Sequence, residues 1–235
     1  MVGTVQLGLP LVAAAQAQKH VTVNEALARL DGLVPMVLVS RAVAIPPAAP
    51  EDGQVWAVPA GASGDWAGQE GMLAIRSGGG WIFVAPRAGW RAFLLDEGAQ
   101  AVYGGAGWVA GALSLSAHGA GLVARVIEVD HVLDPGSSSS PGFLIPSNAV
   151  VIGATARVVV AITGTLSGWR LGNPGADDRF GAGLGLAAGS WARGVLGQPT
   201  AFYAPTQVVL TAEGGNFAAG TVRIAVHVLE LALPD

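Results

Sequence analysis

The chain has 235 residues, with 12 Lys and Arg against 16 Asp and Glu and a formal net charge of −4. That balance gives no electrostatic footprint for nucleic acid, which needs clustered Lys and Arg, and the absence of cysteine excludes disulfides, thiolate metal sites and a Cys nucleophile. Charged residues are only 12% and glycines number 35, which suits short strands, tight turns and a homo-oligomer whose subunits partly cover one another.

Residues 1–20 read as an extended arm. Their longest apolar stretch, Val5 to Ala15, is broken by Gln6 and Pro10 and is too short to span a bilayer, so no membrane insertion is expected. AAAQAQ offers small-residue cleavage sites, but the first Lys, Lys19, lies behind the apolar stretch, which argues against a secretory leader. Thr22 with Glu25 forms a capping-box pattern. Val23, Ala26, Leu27, Leu30 and Val34 then recur at spacings of three and four, placing one apolar face on a short helix that ends at Gly32 and Pro35.

Pro46, Pro47 and Pro50 mark an extended connector. The short runs QVWAV, GMLAI, WIFVA, WRAFLL and AVYG, bounded by Gly, Pro or Asp, predict a compact β-meander. Trp56, Trp66, Trp81, Trp90 and Trp108 fall in that small domain, where large rings make core rather than a binding platform. A low-complexity joint at 104–121 leads into a second β domain. There Val222, Ile224, Val226 and Val228 alternate with Arg223, Ala225 and His227, and Val158, Val160 and Ile162 do the same beside Arg157. The expected fold is all-β: arm and helix over 1–35, a Trp-rich meander over 36–112, and an antiparallel jelly-roll sandwich over 120–235.

His20, His118, His131 and His227 have no metal-binding spacing, and no metal, cofactor or catalytic residue is expected. His131, with Glu128, Asp130 and Asp134, could form an acid–base set but reads as a solvated strand face. Ser137 to Ser140 read as a flexible loop, since no GxSxG elbow is present. Residues 168–185 read as a loop of different quality. Asn173, Asp177, Asp178 and Arg179 lie there among glycines with Trp169 before them, a set suited to vicinal hydroxyls and a sugar ring. Such oxygens also suit Ca²⁺, although no EF-hand template fits; equally, the acids and Arg could pair with one another. Trp191 and Tyr203 add exposed aromatics. The candidate carbohydrate site is therefore Trp169, Asn173, Asp177, Asp178, Arg179, Trp191 and Tyr203.

Leu9-Pro10, the AQAQKHVTVNEALARLDGLV block, the PP…P.DG..W.V…A.G.WAG sequence and APR.GW at 85–90 together resemble one family, a domain of unknown function in alphaproteobacterial prophages and gene transfer agents. ARVVVAITGT, FGAGLGLAAGS, GQPTAFY and LTAEGGNFAAGTVRIAVHV extend the resemblance over nearly the whole chain. It implies a virion structural protein. This would be a trimeric or pentameric head spike or fibre, assembled in the cytoplasm and carried on the particle exterior, touching other spike, capsid or tail proteins and promoting adhesion to capsular polysaccharide. The rival readings are a capsule depolymerase, which needs two carboxylates at defined separation where Asp177 and Asp178 are the plausible pair, and a passive adaptor without ligand.

Overall fold

A computed structural model describes residues 3–13, 19–34, 36–141 and 144–234. The chain divides into two units, Met1–Gly121 with Leu233–Asp235, and Leu122–Ala232, each with its own apolar core.

In the first unit α1 (Lys19–Leu33) is followed by β1 (Val37–Leu38), β2 (Val55–Ala57), a 3₁₀ turn (Gly64–Trp66), β3 (Leu73–Ser77), β4 (Gly80–Val84), β5 (Arg91–Leu94), β6 (Ala99–Tyr103), β7 (Trp108–Ala110) and β8 (Ala112–Leu115). Two antiparallel meanders result, β2–β3–β4 and β5–β6–β7, with β1 joining β5 in parallel. Trp56, Trp66 and Trp81 form a cluster with ring centroids 5.1–5.9 Å apart, Trp81 meeting both others edge to face, a geometry the ring quadrupoles favour. Trp56, Trp66 and Trp108 are buried and Trp81 and Trp90 half-buried, so these rings do build core.

Two expectations for the helix fail. It spans Lys19–Leu33, so Thr22 lies inside it and caps nothing, while its end falls between Gly32 and Pro35 as expected; Gly32 packs on Ile75, where a Cβ would stand 3.0 Å from that side chain. The apolar face also turns outward: Val23, Leu30 and Val34 are all exposed, Leu30 by 51%. Polar chemistry docks the other side. The buried Asp31 carboxylate accepts the backbone N–H groups of Gln6 (3.0 Å) and Leu7 (2.6 Å), and the Asn24 amide exchanges two hydrogen bonds with the Val12 backbone. The arm is thus laced to the helix through residues that no hydrophobic pattern would select.

Burial alone would push the Asp31 carboxyl up. The Gln6 and Leu7 amides, the Thr4 hydroxyl and the Val5 amide outweigh it and hold the group below its ordinary value. Its folded pKa lies below its unfolded one, so its contribution is complete above about pH 4 and is lost as pH falls through the folded value. Asp31→Asn leaves a backbone donor without its acceptor and is expected to cost about 1–3 kcal/mol, read as faster proteolysis of the arm. Unchanged cleavage would show that Asp31 does not anchor it.

The second unit contains β9 (Gly121–Val132), β10 (Ser138–Ser139), β11 (Leu144–Ile145), β12 (Ala149–Gly164), β13 (Gly168–Asn173), β14 (Ala176–Leu184), β15 (Trp191–Phe202), β16 (Thr206–Gln207), β17 (Val209–Glu213) and β18 (Phe217–Ala232). One sheet runs β15–β12–β18–β9 and the other β10–β17–β13–β14. The partners are nested: β9 lies beside β18, β10 beside β17, β12 beside β15 and β13 beside β14. A long hairpin folded over on itself in this way is the jelly roll, as the strand pattern led us to expect. Val222, Ile224, Val226 and Val228 all point into the core, and Arg223 points out. Val158 and Ile162 are buried too, but Val160 is 56% exposed. The β12–β18 register shifts on either side of Val160, and one displaced residue moves a side chain to the opposite face.

Candidate functional site

The expected loop at 168–185 is instead the β13–β14 hairpin, in which Asn173 pairs Ala176 and the chain turns at Pro174–Gly175. Gly175 has φ 85°, the left-handed value that a type II turn requires after its proline. Trp169 is only 1% exposed; it packs in the core and its Nε1–H donates to the Gly185 carbonyl at 3.0 Å. It presents no face to a sugar. Alternation explains this correction, because Trp169 and Leu171 share the inward phase of the strand.

The hairpin's polar groups largely satisfy one another. Asn173 is buried, its Oδ1 accepting from Arg179 Nε at 2.7 Å and its Nδ2 donating to the Pro174 carbonyl at 3.0 Å. The Arg179 guanidinium lies 5.8 Å over the Phe202 ring. Arg170 donates to Glu213 at 2.9 Å and to Asp177 at 3.1 Å; the Glu213 hydrogen bond first, then the Asp177 charge, raises its already high pKa. Asp178 remains exposed. Neighbouring strand residues point to opposite faces, so Asp177 and Asp178 cannot flank one glycosidic bond as a hydrolytic pair must. Among the described residues, no three His, Asp or Glu side chains converge as a metal site would need.

Ser139, expected in a flexible loop, is buried in β10. Its Oγ lies 2.7 Å from His131 Nε2, donates to Asp134 Oδ2 at 3.1 Å and accepts from the Asp134 amide at 2.9 Å. The single hydroxyl proton is directed at Asp134, so His131 Nε2 is the protonated nitrogen. The aspartate touches the serine rather than the far side of the imidazole, and the hydroxyl is enclosed. This cluster closes the β9–β10 turn.

Burial pushes the His131 pKa down by more than the Asp134 charge raises it. The folded value lies below the unfolded one of about 6.5, so the stability contribution is complete above that pH and is lost as pH falls through the folded value. His131→Gln, which keeps a donor but cannot titrate there, is expected to flatten the melting temperature between pH 7.5 and 5 relative to the parent chain. Identical slopes would contradict a buried neutral imidazole.

The remaining two candidates stand at opposite ends of β15. Trp191 opens the strand and Tyr203 follows its last residue, a separation of roughly 35–40 Å at about 3.3 Å per residue. Both are exposed, Trp191 by 62%. The seven residues therefore form no single site.

Around Trp191 the register assembles residues that the candidate set did not include. On the outward face Arg157 of β12 stands between Trp191 of β15 and Arg223 of β18, and in the adjacent row Thr155 stands between Arg193 and Ala225. Asp130 grips Arg223 through two 2.7 Å hydrogen bonds. The hydrogen bonding holds Asp130 below its ordinary pKa and raises Arg223, to which the Glu128 charge also contributes. The Arg193 guanidinium lies 5.7 Å over the Trp191 ring. Among the described residues no carboxylate comes within 4.0 Å of Arg157 or Arg193. Long side chains around the small Ala225 and Thr155 leave a depression of about 560 Å³. The signal that could have found it is the phase of the arginines in TARVV, WARGV and TVRIA, each beside an inward-facing residue.

The first unit holds a larger cavity, about 730 Å³, among the arm, α1 and the β3–β4 hairpin. Its charged groups are committed to structure: Asp31 holds the arm, and Arg76 lies 4.0 Å from Asp52 and 5.3 Å over the Trp81 ring. Among the described residues no helix is long and apolar enough to cross a membrane.

Fold and surface together define an all-β chain whose second unit is a jelly roll with an open, arginine-bearing sheet face. Residues 23–109 match the family described as "Protein of unknown function (DUF2793)". This match lies wholly within the first unit; the resemblance, expected over nearly the whole chain, is matched in that part alone. No protein with a curated description matches. The solved "Cyanophage Pam1 capsid asymmetric unit" is 21% identical over 50% of this chain and 92% of that one, with a TM-score of 0.37.

The two exposed and buried tryptophans give a direct check on these placements. Trp169→Ala is expected to cost about 3–5 kcal/mol and Trp191→Ala to stay within about 0.5 kcal/mol, measured by denaturant unfolding. The reverse ranking would contradict the hairpin packing.

Proposed function

We propose that the chain is a non-enzymatic structural subunit of a phage-like particle, a spike or fibre that binds a surface polysaccharide through the jelly roll. The observation that carries this reading is the Trp191 face, where an exposed ring stands beside the Arg157 and Arg193 guanidinium groups, which have no carboxylate within 4.0 Å among the described residues. Jelly rolls occur in viral capsid and lectin domains alike, an analogy of fold that supports the reading. The resemblance of the N-terminal blocks to prophage and gene-transfer-agent proteins supports the particle.

The division of labour follows the two units. The first serves assembly: α1 turns Val23 and Leu30 outward, Val34 just beyond it is exposed too, and apolar residues left in the open suit contact with other subunits in a trimer or pentamer. The second serves adhesion. On this reading the chain is made in the cytoplasm and ends on the particle exterior.

Binding of the purified full-length chain to encapsulated and capsule-free cells of one strain tests the reading. Retention on encapsulated cells alone is expected, with no release of reducing ends from purified capsule. Equal retention on both, or on neither, would overturn it.

A further inference from the structure

Arg157 is a charge of the jelly roll with no ion-pair partner among the described residues. It is exposed and stands directly opposite Arg223 across the β12–β18 ladder. Side chains in that relation have Cβ atoms roughly 4.5–5.5 Å apart, and like charges so placed repel. Asp130 neutralises Arg223 alone. In the next row Arg193 leans over Trp191, again with no carboxylate beside it among the described residues. Three guanidinium groups thus ring one depression, and the acid that lines it, Glu128, forms no ion pair within 4.0 Å among the described residues. The chain as a whole is acidic, so this concentration of positive charge is local.

We propose that the depression is a subsite for a carboxylate-bearing sugar, a uronate residue within an acidic polysaccharide. The inference rests on the polysaccharide-binding reading and names its ligand class. The planar guanidinium fork matches a carboxylate in two-point geometry, so the sugar acid sits between Arg157 and Arg193. The ring lies against the Trp191 indole, whose apolar face suits the C–H side of a pyranose. Thr155 on the floor shares its hydroxyl with His227 Nε2 at 3.2 Å and meets a sugar hydroxyl with the hydrogen-bonding capacity that remains. A neutral sugar leaves both arginines uncompensated, and a peptide acid lacks the ring for Trp191. The depression is also too small, and its charge too local, to track a nucleic-acid backbone.

Titration of the full-length chain with hexagalacturonate, the neutral isomaltohexaose and polyglutamate separates these cases. Hexagalacturonate is expected to bind while the other two do not, with affinity falling as salt rises. Arg157→Gln, Arg193→Gln and Trp191→Ala should each weaken binding roughly tenfold or more, and Glu128→Gln should not weaken it by more than a few-fold. All four positions are exposed, and unchanged melting curves will show that the variants fold. Equal binding of the neutral hexasaccharide, or binding indifferent to both arginine variants, overturns the acidic-sugar subsite even if capsule adsorption succeeds. Polyglutamate binding as tightly as hexagalacturonate overturns the role of the ring. No binding of any probe by a chain that does adsorb to capsule overturns the subsite while leaving the adhesion reading in place.

Discussion

Residues 150–164 of β12 lie against residues 217–229 of β18, and the phase of that ladder decides what each face of the jelly roll contains. Inward it places Ala154, Ala156 and Val158 beside Ile224 and Val226, closing on Trp169, Leu171, Phe180 and Leu210 of the facing sheet. Each large apolar side chain buried there contributes about 1.5–3 kcal/mol. Because side chains alternate with period two, the same phase sends Thr155, Arg157 and Arg223 outward, and the ladder to β15 adds Trp191 and Arg193. A slip of one residue would bury the arginines and expose the valines. The core therefore holds the outer face in register, and the face inherits the rigidity of the core.

The first unit is built on a different balance. Its three packed tryptophans supply apolar area in a domain of very short strands, while its arm and helix are joined by Asp31 and Asn24. With the inward side of α1 given to polar lacing and to the close approach of Gly32, the apolar stripe of the helix is left on the outside. A stripe on a helix normally faces its own core. Its outward turn here is a consequence of how the arm is held, and it leaves Val23 and Leu30 on the surface of the first unit.

Strand phase carried most of what the sequence disclosed. The alternation around Arg223 points to the correct sheet face, and strands of this length with no helical segments between them point to a jelly roll. The same reasoning misplaced Val160, because a register shift leaves no mark in the residue pattern. Residues 168–185 looked like a binding loop since Gly and Asp dominate them; the inward phase shared by Trp169 and Leu171 was the overlooked sign of a strand. Ser139 was hidden within a low-complexity run, since only the fold brings His131 and Asp134 to it. At the candidate site Trp191 was legible as an exposed aromatic. Arg157, Arg193 and Arg223 were not, because an arginine in a strand reads as an ordinary solvated position. Nested pairing is what gathers them from positions far apart in the chain, and it is a property of topology rather than of local sequence.

A crystal structure of the full-length chain with hexagalacturonate bears most directly on the claim that the outer sheet face, and not the hairpin, meets the ligand. The sugar carboxylate is predicted roughly 3 Å from the guanidinium nitrogens of Arg157 and Arg193, with a pyranose ring on Trp191. A saccharide seated instead on the β13–β14 hairpin beside Asp178, or at Tyr203, would contradict it.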